Sequence, residues 1–412
     1  MTSKERMISA LNGQKADYIP LTAWCFGFHP PKHLRWENNE GGVNYWYTMR
    51  LEHIHTLPQK WTLEDDFQRA LAWQSIGVDD VLEVSVPWSI HPEVTWKDSI
   101  IGQGEDGGDK QYTVMVRDYH TPGGKMHHAV KRTGDEQAGW PSQPGSVHLI
   151  EDYNIPRATR HLVAGQADVE NVKYLYVAPD TNQKKWFLER MARVKQFSDK
   201  HGLFVQAWTA FGMDAVVWFS GVDNAVMMSM IEPEAFGKLV DIIAATDYAR
   251  TELAVKTSGI DLVCQRGWYS STNFWSPESF DTFVYPHLSQ LTALAHRYGK
   301  KFGYVMTTGV EILGPRLADA GVDLLFFVDP VQDRLSLQTA RDLFGNRMTM
   351  VGGINSIGLK SDDPERIRLD VKEAIDTLGP TNRFILHPVD AIFPDTPWES
   401  INVMIEAWKE YR

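Results

Sequence analysis

Ionisable side chains stand at or just beyond the ends of several short apolar runs in this chain. If such a run forms a parallel strand, its last residues reach the edge of the sheet where ligands bind. Carboxylates at this edge suit acid/base chemistry, a guanidinium binds a carboxylate or phenolate, and thiol, imidazole and carboxylate groups bind metals. The candidates for catalysis are Asp390, Arg266 and Asp329, and those for metal binding are Cys264, His387 and Glu83.

Each candidate also has a purely structural interpretation. Cys264 lies within an apolar run, where a thiol is more often a small core residue than a ligand. His387 is more often a hydrogen-bonded core histidine, and Asp329, which precedes Pro330, is suited to cap the next helix. Arg266 must be paired at the end of a buried strand, and a bound carboxylate or phenolate is as natural a partner as an internal Asp.

The sequence is rich in tryptophan, with 15 Trp beside 14 Met and 18 Phe. Rigid aromatic surface beyond the needs of packing often lines ligand pockets, although most individual Trp residues belong to a core or an interface. Large apolar side chains at the expected strand ends are therefore candidates for binding a substrate, namely Trp24, Trp208, Trp268, Tyr269 and Met306.

The elements that would position these residues alternate between short apolar runs and amphipathic stretches. We predict strands at 21–26, 78–86, 172–177, 203–208, 262–268, 301–306, 324–328, 348–351 and 384–386, and helices that include 182–201, 233–257 and 277–298. About eight strand–helix units predict parallel strands with right-handed crossovers. No Gly-x-Gly-x-x-Gly turn follows any of these predicted strands, so a dinucleotide-binding sheet is disfavoured. The expected fold is an α/β (β/α)8 TIM barrel.

Residues 88–160 interrupt this alternation. The runs 112–119 and 126–131 alternate apolar and polar residues on either side of Thr121-Pro122-Gly123-Gly124, a pattern typical of a β-hairpin. We therefore expect residues 1–412 to form a single barrel domain that carries an antiparallel β-hairpin insertion at about 88–160.

Composition and charge exclude several classes of function. The formal net charge is −12 and no run of Lys or Arg occurs, so neither nucleic acid nor an anionic membrane surface is an expected partner. No apolar run approaches the roughly 20 residues needed to cross a bilayer. Cys25 and Cys264 are far apart and residues 1–17 are polar, which favours a reducing cytoplasm over a secreted, disulfide-bonded protein.

Several segments, taken in order and spacing, resemble the uroporphyrinogen decarboxylase superfamily. The most specific is Phe393-Pro394-Asp395-Thr396-Pro397, followed by a helical stretch at 399–411. The others are Thr2-Ser3-Lys4-Glu5-Arg6, Leu11-Asn12-Gly13, Asp17-Tyr18-Ile19-Pro20, the Thr121–Gly124 turn, Ser276-Pro277-Glu278-Ser279-Phe280 through Tyr285-Pro286, Gly321-Val322-Asp323 and Val351-Gly352-Gly353-Ile354-Asn355. The resemblance covers nearly the whole chain and implies a barrel enzyme.

The superfamily resembled includes two chemistries. Its decarboxylases hold the acidic side chains of a porphyrinogen with an arginine-rich first loop, whereas the corresponding residues 24–31 contain no Arg. In its thiol-activating methyltransferases, zinc ligands occupy the positions of Met306, Thr308 and Asp390, of which only Asp390 binds metals well. The remaining resemblance is to corrinoid-dependent methyltransferases that demethylate methoxylated aromatics.

This branch implies a small aromatic substrate, a corrinoid on a partner protein and, as a weaker expectation, a zinc ion. A pocket fringed by Trp24, Phe26, Trp208, Phe211, Trp268, Tyr269 and Trp275 would suit an aromatic ring. Asp390, with Cys264, His387 or Glu83, would stabilise the phenolate as it leaves. Related barrels often form dimers, so a homodimer is a further expectation.

Two alternatives stay open. One is a decarboxylase that acts on a porphyrinogen or a smaller aromatic acid and releases carbon dioxide. The other is a barrel without catalytic activity that binds an aromatic ligand or a corrinoid protein.

Overall fold

Parallel strands form the main sheet of the protein. The computed structural model describes residues 1–36, 44–134, 142–333, 335–361 and 363–412. Within them, seven strands pair in parallel in the order β13-β12-β11-β10-β9-β8-β3. These strands are Val81–Ser85 (β3), Phe204–Ala210 (β8), Leu262–Gln265 (β9), Lys301–Val305 (β10), Leu324–Val328 (β11), Thr349–Asn355 (β12) and Phe384–Val389 (β13).

The predicted first strand supplies an eighth position. Leu21 bridges Leu386 of β13 in parallel, and Cys25 bridges Ile392. Inward side chains from all seven strands and Trp24 then form one buried cluster, whose members include Val81, Phe204, Leu262, Val305, Leu324, Val351 and Ile385. A single interior shared by every strand confirms the barrel-like α/β fold.

Helices cover the outside of the sheet. They are Ser3–Asn12 (α1), Leu63–Ser75 (α2), Gln166–Val169 (α3), Val172–Leu175 (α4), Thr181–His201 (α5), Met213–Ser220 (α6), Val222–Ile231 (α7), Pro233–Val255 (α8), Pro277–Phe283 (α9), Tyr285–Arg297 (α10), Val310–Asp319 (α11), Leu337–Phe344 (α12), Pro364–Leu378 (α13) and Trp398–Tyr411 (α14). No helix in the described ranges is long and apolar enough to span a membrane.

Helix α1 closes the amino-terminal end of the barrel. Thr2 and Glu5 form a reciprocal capping box that fixes its first turn. Met7, Ala10 and Leu11 then enter the interior cluster of the barrel. The hydroxyl of Thr349 donates to the carbonyl of Ala10 at 2.8 Å, which ties the helix to β12. Helix α1 therefore covers the interior of the barrel at this end.

The insertion is larger than the predicted hairpin. Its central pair, Val114–Thr121 (β5) and Gly124–Lys131 (β6), closes with Thr121 opposite Gly124, as predicted. Thr95–Ile101 (β4) and Ala158–Arg160 (β7) add a strand on each side, to give a four-stranded antiparallel sheet. A separate antiparallel pair, Phe26–Phe28 (β1) and Trp46–Tyr47 (β2), follows the first barrel position.

Two predicted elements were wrong in type or extent. The strand expected at 172–177 is the short helix α4, because Val172, Leu175 and Tyr176 recur at helical spacing and are fully buried on one face. The single helix expected at 277–298 is two helices, α9 and α10, that meet at Val284. Pro286 has no amide hydrogen to continue the first helix.

The barrel interior should carry much of the stability. Leu324 is 1% exposed within it, so Leu324→Ala should lower the free energy of unfolding by about 2–5 kcal/mol. The matched substitution Leu369→Ala removes a side chain that is 59% exposed and should change it by less than about 0.5 kcal/mol. Denaturant unfolding measures both, and equal effects would contradict a packed interior.

Candidate functional site

Tryptophan side chains meet at the carboxyl ends of the strands. The ring centroids of Trp24 and Trp208 are 5.5 Å apart, those of Trp24 and Trp268 are 6.1 Å apart, and those of Trp208 and Trp268 are 6.4 Å apart. Phe326 and Phe327 also pack against Trp24, with ring centroids 5.0 and 4.8 Å from it. Three residues distant in sequence, predicted to bind a substrate, thus form one aromatic cluster at the barrel mouth.

Arg50 and Asp390 lie against this cluster. The guanidinium of Arg50 sits over the rings of Trp24 and Trp268, at 4.0 and 5.0 Å from their centroids. Its Nη2 donates to Oδ1 of Asp390 at 3.3 Å. Burial raises the pKa of Asp390, and Arg50 opposes that shift. Because the Asp390 side chain is still 31% exposed, it faces the opening of the site.

Arg266 also lies against Trp268, with its guanidinium 4.6 Å from the ring centroid. Its Nε donates to Asp214 at 3.0 Å and its Nη2 to Asp152 at 3.4 Å. Burial raises the pKa of Asp214 to about 6. Burial would also raise the pKa of Asp152, but the charge of Arg266 holds it well below its usual range. Arg266 is therefore paired with internal carboxylates. Its sequence position had left open either this pairing or pairing with a bound ligand.

His53 completes this group. Its Nδ1 lies 3.1 Å from the carbonyl of Arg50, and its Nε2 lies 3.4 Å from Nη1 of Arg266. Burial, with the nearby charge of Arg266, lowers the pKa of His53 to about 4. The imidazole is therefore neutral at pH 7 and accepts from Arg266 while it donates to Arg50.

Deeper in the barrel lies a buried carboxyl group, Glu83. The side-chain amide of Gln206 donates to its Oε1, and the backbone amide of Arg50 donates to its Oε2 at 3.3 Å. Burial raises the pKa of Glu83 to about 7. Burial and the proximity of Glu83 raise the pKa of the Cys264 thiol far above its usual value. Glu83 thus lies beneath the Arg50 backbone, and its carboxyl group gains or loses a proton near neutral pH.

His387 forms part of the wall of the aromatic cluster. Its Nδ1 lies 2.9 Å from the hydroxyl of Thr22, and its ring packs on Trp24 and Phe327. Burial lowers its pKa to about 3, so it is neutral. This is the hydrogen-bonded core histidine that its sequence context favoured.

Two predicted site residues lie apart from the mouth. Both carboxylate oxygens of Asp329 accept hydrogen bonds, from the amides of Val331 and Gln332 at 2.9 and 3.2 Å and from the Asn355 side chain at 2.7 Å. It holds the turn after β11 together, which agrees with the capping interpretation of its position before Pro330. Met306 packs between the sheet and the outer helices, because strand alternation sends its neighbour Val305 inward instead.

The other predicted substrate-binding residues lie around the cluster. Phe26 packs at the rim against Tyr47 and Phe393. Phe211 packs beside His53 and Trp218. The amide of Tyr269 donates to Asp214 at 3.0 Å, and Trp275 donates to the Tyr269 carbonyl at 2.6 Å while its ring packs on Phe236.

Sequence reasoning missed four residues of the site, namely Arg50, His53, Asp152 and Asp214. Arg50 lies in a 3-10 turn, Met49–Leu51, and Asp152 in another, Asp152–Asn154. Neither turn follows a barrel strand, so the strand-end rule did not select them. The one signal was indirect: a buried Arg266 demands carboxylate partners.

The described side chains do not fit a zinc centre, which needs several ligands around one point. Over residues 1–36, 44–134, 142–333, 335–361 and 363–412, no three His, Cys, Asp or Glu side chains are grouped in that way. Cys264 and Glu83 are neighbours, but His387 is directed to Thr22. We therefore derive no chemical step through a metal.

These features define a class of protein, a parallel α/β barrel with aromatic and charged side chains gathered at the carboxyl ends of its strands. The chain matches the profile of the family Uroporphyrinogen decarboxylase (URO-D) over residues 145–411, more than half its length. It belongs to that family, as its sequence motifs indicated.

One methyltransferase of known structure has the same fold over the full chain, and two further solved structures are less similar. A methyltransferase from Methanosarcina mazei is 16% identical, with a TM-score of 0.61 over 100% of this chain and 99% of that chain. A D-tagatose 3-epimerase-like protein is 15% identical, with a TM-score of 0.34 over 56% of this chain and 83% of that chain. The 3-keto-D-glucoside 4-epimerase from E. coli is 11% identical, with a TM-score of 0.35 over 62% and 96%. No curated protein matches the sequence.

The raised pKa of Glu83 predicts a pH-dependent stability. Because this pKa is about 7 in place of 4.5, the folded protein binds the proton more tightly than the unfolded chain, and the resulting stabilisation is lost as pH rises from 4.5 to about 7. The Glu83→Gln variant cannot ionise at this position and does not lose that stabilisation. The free energy of unfolding of the variant minus that of wild type should therefore increase between pH 5 and 8, by at most about 3 kcal/mol.

Denaturant unfolding at a series of pH values measures this difference. Glu189→Gln, at a side chain that is 67% exposed, is the matched control and should give a flat difference. A flat profile for Glu83→Gln as well would show that Glu83 titrates normally.

Proposed function

We propose that this protein transfers a methyl group from a small methoxylated aromatic compound to a corrinoid carried by a partner protein. The observation that carries the proposal is the cluster of Trp24, Trp208 and Trp268 in contact with the Arg50–Asp390 pair at the barrel mouth. Support also comes from family membership and from the likeness over the full chain to a methyltransferase from Methanosarcina mazei.

The tryptophans would bind and orient the aromatic ring. Indole faces pack on an aromatic ligand in offset or edge-to-face geometry and exclude water from it. Because Trp24 is held by Phe326, Phe327 and His387, its ring has little freedom to move. A rigid surface of this kind fixes the methyl group in one direction, which is the main requirement of a transfer reaction.

The charged groups would act on the oxygen that loses its methyl group. As the methyl carbon–oxygen bond breaks, its electron pair stays on oxygen and negative charge develops there. The Arg50 guanidinium stabilises that charge, and a protonated Asp390, whose pKa burial raises, donates a proton to give the phenol. The corrinoid, when its carrier is bound, supplies the atom that accepts the methyl group.

Decarboxylation of an aromatic acid is the second candidate. The arginine-free loop at 24–31 argued against it, but the structure brings Arg50 and Arg266 to the mouth from other segments. Both guanidiniums already contact internal carboxylates, which favours methyl transfer. Carbon dioxide release from an aromatic acid would support this alternative, and ligand binding without turnover would support a barrel without catalytic activity.

The test is an assay with purified protein, cob(I)alamin and a panel of neutral and carboxylated methoxybenzenes. We expect methylcobalamin and the free phenol in equal amounts. Asp390→Asn cannot donate the proton and should lower turnover by about 100-fold or more.

Asp395→Asn is the control for this substitution, because Asp395 is 58% exposed and forms a surface ion pair with Lys360. It should keep wild-type turnover. Unchanged turnover in Asp390→Asn would remove Asp390 from the mechanism, and carbon dioxide without methylcobalamin would replace the proposal by decarboxylation.

A further inference from the structure

A cleft on the outer side of the barrel, between α8 and α10, leads inward to the last residue of β9. Its inner end is lined by Gln265 and by apolar side chains of the surrounding helices. Its outer part runs along α8 and α10 toward the surface. The two parts are continuous, because three residues line both, namely Ala244, His287 and Leu291. We call this continuous space the helix cleft.

The two parts of the helix cleft differ in size. The inner end has a volume of about 20 Å³, which is room for one group the size of a water molecule. The outer part has a volume of about 500 Å³, which is within the range of small-molecule sites. A ligand of matching shape has an apolar body in the outer part and a single small polar group that reaches the inner end.

Gln265 leaves a polar atom without a partner at the inner end. Because Cys264 belongs to the interior cluster of the barrel, strand alternation turns Gln265 outward, toward the helices. Gln265 is 4% exposed, and its Oε1 is buried without a hydrogen-bond partner in the described part of the chain. Gly212 leaves room for this amide, since a Cβ there would lie 2.4 Å from Nε2 of Gln265. A buried, unsatisfied acceptor is costly and calls for a ligand that donates a hydrogen bond.

The charged side chains of the helix cleft already have partners. Both carboxylate oxygens of Asp247 accept hydrogen bonds, from two backbone amides at 2.8 and 3.0 Å and from the Tyr176 hydroxyl at 2.6 Å. Nε2 of His287 lies 3.2 Å from Asp241. No Lys or Arg is among the described residues that line the cleft. The ligand that fits is therefore a neutral donor and not an anion.

The outer part of the helix cleft suits an aromatic body. The small side chains of Ala244 and Ala245 leave space along α8, and the rings of Tyr248 and His287 line the same part. Such rings pack on a flat ligand in offset or edge-to-face geometry. A phenol combines a flat ring with one hydroxyl donor.

We infer that the helix cleft binds a neutral phenol, whose hydroxyl donates to Oε1 of Gln265 and whose ring lies against Ala244, His287 and Leu291. This site is separate from the aromatic cluster at the mouth, because Gln265 faces outward from the sheet. The inference rests on the proposed function only for the source of the ligand, since removal of the methyl group from a methoxylated aromatic leaves a phenol.

A fluorine NMR titration without the methyl acceptor measures this binding apart from catalysis. The probes are 4-fluorophenol and 4-fluoroanisole, in which a methyl group replaces the hydroxyl hydrogen. Wild-type protein should bind the phenol at least about tenfold more tightly, because the anisole leaves the buried acceptor of Gln265 unpaired. Equal affinities, or tighter binding of the anisole, would overturn the inference.

Two substitutions locate the binding. Gln265→Met keeps the length of the side chain without the acceptor, and should weaken phenol binding about tenfold and change anisole binding less than threefold. Ala244→Leu fills the outer part at a half-buried position and should also weaken phenol binding at least about tenfold. Unchanged phenol binding in Gln265→Met would assign the signal to the mouth and contradict the inference. If that variant does not fold, Ala244→Leu decides in the same way.

Gln338→Met is the matched control, because Gln338 is exposed on α12 and donates to Asp342 at 2.8 Å. It should leave both affinities unchanged. A loss of phenol binding as large as that in Gln265→Met would show that the effect is not specific to the cleft, and the inference would fail.

Failure of the inference is distinguishable from failure of the proposed function. Phenol binding that depends on Gln265, without methyl transfer from any methoxybenzene, would refute the proposed function alone. Methyl transfer by a protein whose phenol binding does not depend on Gln265 would refute the helix cleft alone.

Discussion

Two backbone hydrogen bonds hold the first and last positions of the barrel side by side, from the amide of Thr22 to the carbonyl of Leu386 and from the amide of Leu386 to the carbonyl of Pro20. They bring Trp24 next to His387 and opposite Trp208, although these residues are far apart in sequence. Parallel strands place all their carboxyl ends at one edge, and pairing of the first position with the last gathers those ends around one opening.

Charge burial is the second constraint on the mouth. Removing one partner of a buried ion pair costs about 3–5 kcal/mol, because an uncompensated charge remains. Arg266 meets this constraint with Asp214, Asp152 and His53. Arg50 meets it only in part, through one long contact to a carboxylate that is itself partly exposed. The first guanidinium is therefore held by several polar partners, and the second by one carboxylate contact and the two indole rings that cover it.

Family membership does not by itself determine the chemistry of this barrel, because function depends on the site and not on the fold. The loop at 24–31 contributes aromatic side chains, whereas the corresponding loop of the decarboxylases in the resembled superfamily is rich in arginine. Arginines nevertheless reach the mouth, from the turn at Met49–Leu51 and from the end of β9. The combination of indole rings and guanidinium groups favours a small, oxygen-bearing aromatic ligand.

The sequence by itself determined the parts that local patterns encode. Apolar runs separated by amphipathic stretches predicted the parallel strands from β8 to β13, the alternation around Thr121–Gly124 predicted the hairpin, and the strand-end rule selected Trp24, Trp208, Trp268 and Asp390. At 172–177 the same reasoning failed, because a short apolar run fits a strand and a buried helical turn equally well.

Only the tertiary structure decided the partners of each charge. Arg50, His53 and Asp152 come from turns that no periodic pattern links to a barrel strand, whereas Asp214 comes from the first turn of the helix after β8. The capping role of Asp329 and the outward position of Met306 likewise depend on neighbours far away in the chain. Hydrophobic periodicity is a local property that is visible in sequence, whereas the pairing of buried charges depends on which distant segments the curled sheet of parallel strands brings together.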